Sequence, residues 1–191
     1  MKINLTIEDK YGMNTEEFIL RLKNLKNASQ KRLLCIINTH FYLTNDAEYY
    51  TNFGSYFDFN RGQECHMRNE LIDLYYKFIF FLMTGHTGDG KNMLTLKVNR
   101  AHIETWENEK SKIFKTLKID VHEFIGNYEC FKIGLKLKNL RKVSKIDFSG
   151  KSGLSINKIT QIEDYAFLAK ISDVRLYIEN GLGKSFKINI T

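Results

Sequence analysis

The sequence predicts an α+β fold: a largely antiparallel sheet, about four helices and a β-rich C-terminal half. Apolar residues alternate at Ile3, Leu5 and Ile7, at Leu94, Leu96 and Val98, and at Phe131, Ile133, Leu135 and Leu137, the period of a strand. Other stretches repeat apolar residues every three or four positions, the period of an amphipathic helix. The segments "SGKSG" and "ENGLGKS" separate short C-terminal apolar runs, as turns in hairpins do.

Along the chain, Lys2 to Glu8 reads as a strand. Asn14-Thr15-Glu16-Glu17 supplies an N-cap with Glu three residues on, and Phe18, Ile19, Leu22 and Leu25 continue a helix to about Asn27. Arg32 to Asn38, "RLLCIIN", is a short apolar run of the kind a buried strand shows. From Arg61 the pattern turns helical through Met67, Leu71, Leu74, Tyr75, Phe78 and Leu82. Asn92 to Asn99 reads as a strand, and Ile103, Trp106, Lys110, Ile113, Phe114 and Leu117 as a helix. Strands follow at Phe131 to Lys138 and Val143 to Phe148. Thr160-Gln161-Ile162-Glu163 caps a helix to about Ile171, and Val174 to Ile178 pairs with Phe186 to Ile190. No repeat or linker interrupts this, so residues 1–191 form one expected domain, with 39–60 as a candidate elaborated segment.

Composition narrows the class. Apolar residues make up 43% of the chain, enough for a substantial core, and no run reaches the ~18 apolar residues of a membrane span. Cys35, Cys65 and Cys130 are odd in number, which points away from a disulfide framework and towards a reducing, cytoplasmic setting.

Gly85-His86-Thr87-Gly88-Asp89-Gly90-Lys91 fits the first seven positions of the phosphate-cradling P-loop. That loop needs a strand before it and a helix after it. Here Leu71 to Leu82 keep helical phase up to Gly85, which reads as a helix cap. Leu94 to Val98 keep strand phase, and Asn92 lacks the hydroxyl that would ligate Mg²⁺. The expectation is a helix–loop–strand connection in which Phe78, Leu82, Leu94 and Leu96 are buried, with no nucleotide cofactor.

Arg61 and His66 stand at Arg-x4-His spacing, which resembles the HEPN family of metal-independent ribonucleases. The resemblance implies one helix whose Arg and His act on the 2′-hydroxyl and the scissile phosphate, in an all-helical fold. The competing reading is two polar residues on a wet first turn. His40, His66, His86, His102 and His122 are spread singly, without a metal-ligand spacing, so no metal is expected.

Charge is the most informative feature. The chain carries 29 basic and 22 acidic residues. Lys132, Lys136, Lys138, Arg141, Lys142, Lys145, Lys151 and Lys158 lie in one window whose only acid is Asp147, so this window matches the whole +7 excess. On a strand, Lys132, Lys136 and Lys138 would share one face and suit a phosphate backbone. Among the aromatics of 39–60, Tyr49, Tyr50, Phe53 and Tyr56 could stack on unpaired bases. The leading expectation is thus a non-enzymatic nucleic-acid-binding protein, taking RNA or DNA. The alternative is a small interaction or inhibitor protein, from a virus or mobile element, docking on a larger protein or ribonucleoprotein. The third is a ribonuclease using Arg61 and His66.

Overall fold

The computed structural model describes residues 12–42, 65–85, 87, 98–141 and 144–187, with the backbone alone at 65–68. Among these residues there is no strand: they form eight α-helices, a 3-10 turn and a short π-helical segment. The expected α+β sheet is overturned. The strands expected at 2–8 and over most of 92–99, with Leu94 and Leu96, lie outside the described residues, as does most of segment 39–60. The described residues group into two compact units, Met1–Ile119 and Asp120–Thr191.

In the first unit, α1 (Thr15–Lys23), α2 (Asn27–Tyr42), α3 (Cys65–Thr84) and α4 (Arg100–Leu117) pack as a bundle. α1 begins where its cap was read, with Asn14 Oδ1 accepting from Glu17 N at 2.9 Å. Glu16 and Glu17 in the first turn and Arg21 and Lys23 in the last complement the helix dipole. α3 stops at Gly85, whose φ of 70° a residue without Cβ adopts freely; Gly85 N donates to Phe81 O at 2.8 Å. The approach to the glycine-rich loop is therefore a helix, with Phe78 and Leu82 buried.

"RLLCIIN" belongs to α2, not to a strand. The five consecutive residues Leu33 to Ile37 are each at most 1% exposed. A helix enclosed on all sides shows no amphipathic period, and a short apolar run then looks the same as a buried strand. Around it, Phe18 stacks on Phe78 with ring centroids 3.9 Å apart, and Trp106 Nε1 donates to the buried Asn38 Oδ1 at 3.0 Å.

The second unit runs through α5 (Val121–Leu140), α6 (Lys145–Ser152), α7 (Ile156–Asp164), a 3-10 turn (Ala166–Leu168), α8 (Ile171–Leu176) and the π-helical segment Tyr177–Gly181. Three more expected strands are corrected here. Phe131 to Lys138 lies within α5; Ile133, the only β-branched residue of that stretch, is 51% exposed. The alternation was one of chemistry, with Ile133 outward on a helix whose Phe131 and Leu135 point inward. The described part of Val143 to Phe148 opens α6, because Ser144 Oγ accepts from Asp147 N at 3.2 Å, an N-cap. "SGKSG" is the last turn of that helix with Gly153 at φ 72° as its cap. Val174 to Ile178 continues helically through α8 into the π segment. α7 starts earlier than read, capped by Ser155 rather than Thr160.

Leu137, Phe148, Leu154, Ile159, Ile162 and Tyr177 form the core of this unit. α5 meets α7 closely at Gly134, where an added Cβ would stand 2.7 Å from the carbonyl oxygens of Ile162 and Glu163. Among the described residues no helix is long and apolar enough to cross a membrane.

Candidate interaction surface

Making 131–138 helical redistributes the basic stripe. At 100° per residue Lys132 and Lys136 stay about 40° apart, while Lys138 turns about 120° away from Lys132. Lys136 and Lys151 are exposed, and Lys132 pairs with Glu129 one turn earlier at 2.7 Å. Lys138, Arg141, Lys145 and Lys158 meet acids from beyond the window. Lys138 Nζ lies 3.0 Å from Asp164 Oδ1, Lys158 Nζ 2.8 Å from Asp173 Oδ1, and Arg141 grips Glu163 through Nε at 2.5 Å and Nη2 at 3.2 Å. The single-face stripe is thus corrected: a count along the sequence missed carboxylates that α7 and α8 bring to these cations.

Glu163 is wholly buried and Asp164 nearly so. Besides Arg141, Glu163 has Lys145 Nζ at 3.8 Å and the Tyr177 hydroxyl at 2.7 Å. Leu137 O lies 3.2 Å from that hydroxyl; its one hydrogen serves a single acceptor at a time, and the charged, closer one holds it more strongly. Burial opposes the charge on Arg141, but the hydrogen bond and charge of Glu163 outweigh it and raise its pKa. For Lys145 burial wins, with Lys138 and Arg141 adding to it against the pull of Asp164 and Glu163, so its pKa is lowered. Burial, followed by the Glu163 carboxylate, pushes the Tyr177 phenol up. This cluster ties α5, α6, α7 and the π segment into one body. Breaking such a buried pair is costly, while its net contribution when intact is small.

What remains on the outside of α5 is different in kind. Asp120 Oδ1 caps the helix by accepting from Glu123 N at 2.7 Å, and Phe124, Phe131, Gly134, Leu135 and Leu137 turn inward. The opposite side carries Val121, Ile125, Ile133 and Leu140, exposed by 53, 51, 51 and 45%. Steps of three and four residues place Glu129, Lys132 and Lys136 among them. Lys132 also stands over the Tyr128 ring, 5.2 Å from its centroid. A helix apolar on both sides ordinarily has protein on both sides, and single exposed aliphatics are common where a ribbon of four on one helix is not. Reading 131–138 as a strand hid this face; the spacing of Val121, Ile125, Glu129, Lys132, Lys136 and Leu140 was the signal that could have found it.

Of the remaining expected site residues, Tyr49, Tyr50, Phe53, Tyr56, Arg61 and Lys142 lie outside the described residues, and His66 is placed only as backbone near the start of α3. In the first unit His40 Nδ1 is 2.8 Å from Tyr75 Oη. Burial, with His102 nearby, lowers the His40 pKa to about 4, so this imidazole is neutral at physiological pH. Burial and then Glu129 push the Cys130 thiol up, which makes it a poor nucleophile. Among the described residues no three His, Cys, Asp or Glu side chains are placed to hold a metal ion.

Comparison with family models, with curated proteins and with solved structures returns no match.

Proposed function

We propose that this chain is a non-enzymatic interaction protein of the cytoplasm, docking on a protein partner through the outward face of α5. The observation that carries this is the ribbon of Val121, Ile125, Ile133 and Leu140 on a helix whose other face is already packed. Burying such side chains gains ~25 cal/mol per Å², and aliphatics around a few charges are what a protein interface core with its rim requires. Nucleic-acid binding, the other reading, draws less support from unit two. Phosphate contact depends on cations available for counterion release, and Lys138, Arg141 and Lys158 face carboxylates instead.

A photo-crosslinking residue in place of Ile133, in the cells that make the protein, tests this. Adducts to protein are expected at Ile133 and not at Lys151. Adducts to nucleic acid would transfer the function to the nucleic-acid reading, and none at either position would sink the docking face.

A further inference from the structure

The α5 face fits one occupant by its own pattern. We infer that it pairs with α5 of a second copy of this chain, antiparallel about a two-fold axis midway between Cys130 and Phe131; this rests on the docking role proposed for the face. In an antiparallel pair about that point, each residue lies level with the one whose number completes the same sum. Val121 then opposes Leu140 of the second copy, aliphatic on aliphatic. Glu129 opposes Lys132 of the second copy, and by symmetry Lys132 opposes its Glu129, so both charged positions near the centre meet opposite charge. Ile125 opposes Lys136, whose long aliphatic stem can cover it while the ammonium reaches solvent. Ile133 falls level with the half-buried Tyr128 of the second copy and within ~3 Å of level with its exposed Gly126, where an added Cβ would meet nothing within 4 Å. That position leaves room for Ile133.

A parallel pair about a two-fold axis would instead set Glu129 beside Glu129 and Lys132 beside Lys132, like charge on like. The existing Glu129–Lys132 pair within the helix, at 2.7 Å, becomes one side of a four-charge square in the antiparallel dimer. Every exposed aliphatic of α5 is used, and no third molecule is required. The heterologous alternative, a surface of unrelated sequence, would have no reason to meet this order of charges in reverse.

Charge reversal tests the pairing in a way that ordinary destabilisation cannot imitate. By sedimentation equilibrium of the full chain at low salt, wild type is expected at twice the monomer mass. Lys132→Glu alone places acids against acids, Glu129→Lys alone places bases against bases, and each is expected to shift to monomer while keeping wild-type helical circular dichroism. Mixed in equal amounts, these two variants present two acids on one helix to two bases on the other and are expected to return to dimer mass. A monomeric wild type across the accessible concentration range, or single variants that dimerise as wild type does, would overturn the inference. So would a mixture that stays monomeric. Protein adducts at Ile133 from another chain alongside a monomeric wild type would leave the docking face standing and remove only the self-pairing.

Discussion

At the scale of the residue, two buried side chains carry most of the chemistry in the described structure. Glu163 has no exposed surface and answers Arg141 with two hydrogen bonds. Glu163→Ala would leave the guanidinium 12% exposed without its carboxylate, and is expected to cost about 3 kcal/mol or more. Urea unfolding measures this, and a loss below about 1 kcal/mol would mean that water reaches Arg141 readily. His40 makes a pH prediction. Its ordinary pKa is 6.5 and its folded value about 4, so between those values the unfolded chain binds the proton and the folded chain does not. The His40 contribution is therefore full above about pH 6.5 and is lost as the pH falls towards 4. The amount is roughly 3 kcal/mol if the whole shift is realised. Comparing urea unfolding of wild type and His40→Gln at neutral pH and near pH 4 isolates it from the carboxylates. Equal loss of stability in both proteins would rule it out.

At the scale of the element, α5 offers the same substitution with opposite outcomes. Gly134→Ala drives a methyl to within 2.7 Å of two backbone carbonyls of α7, which cannot yield as a side chain tip can. An expected loss of about 2 kcal/mol follows. Gly126→Ala, on the outward face with nothing within 4 Å in the single chain, should instead gain up to about 1 kcal/mol of helix propensity when both glycine variants are compared in the monomeric Lys132→Glu background. Thermal unfolding of both settles the sign, and two losses of equal size would mean that Gly126 too is enclosed. The sequence could not separate these glycines, because the difference comes from α7. It did show α1, α3 and α4, whose apolar stripes face one side and whose caps at Asn14 and Gly85 are local. It failed at α2, enclosed on all sides, and at α5, where an outward Ile133 completed a false alternation. The cap at Ser144 was legible as Ser-x-x-Asp but was overridden by the apolar Val143, Ile146 and Phe148 around it. For the candidate surface, composition told that lysines cluster; only the fold told which of them carboxylates claim.

At the scale of the whole molecule, that redistribution changes what the +7 net charge means. Lys138, Arg141, Lys145 and Lys158 carry much of the window's excess, and Glu163, Asp164 and Asp173 hold them as internal fasteners. These pairings, the core around Phe148 and Tyr177, and the close contact at Gly134 all fall within Asp120–Thr191. Each helix of that unit from α5 to α7 also carries its own N-cap, at Asp120, Ser144 and Ser155. Among the described residues this core and these ion pairs are made within the unit itself, so a polypeptide of residues 120–191 is expected to fold alone. A core of this size supports no more than about 5 kcal/mol, and an exposed α5 face gives it a motive to associate. The expected result is a helical far-ultraviolet spectrum with one cooperative urea transition, lost in the same fragment bearing Glu163→Ala. A disordered fragment, beside a full chain that unfolds in a single step, would show instead that the second unit depends on the first for its stability.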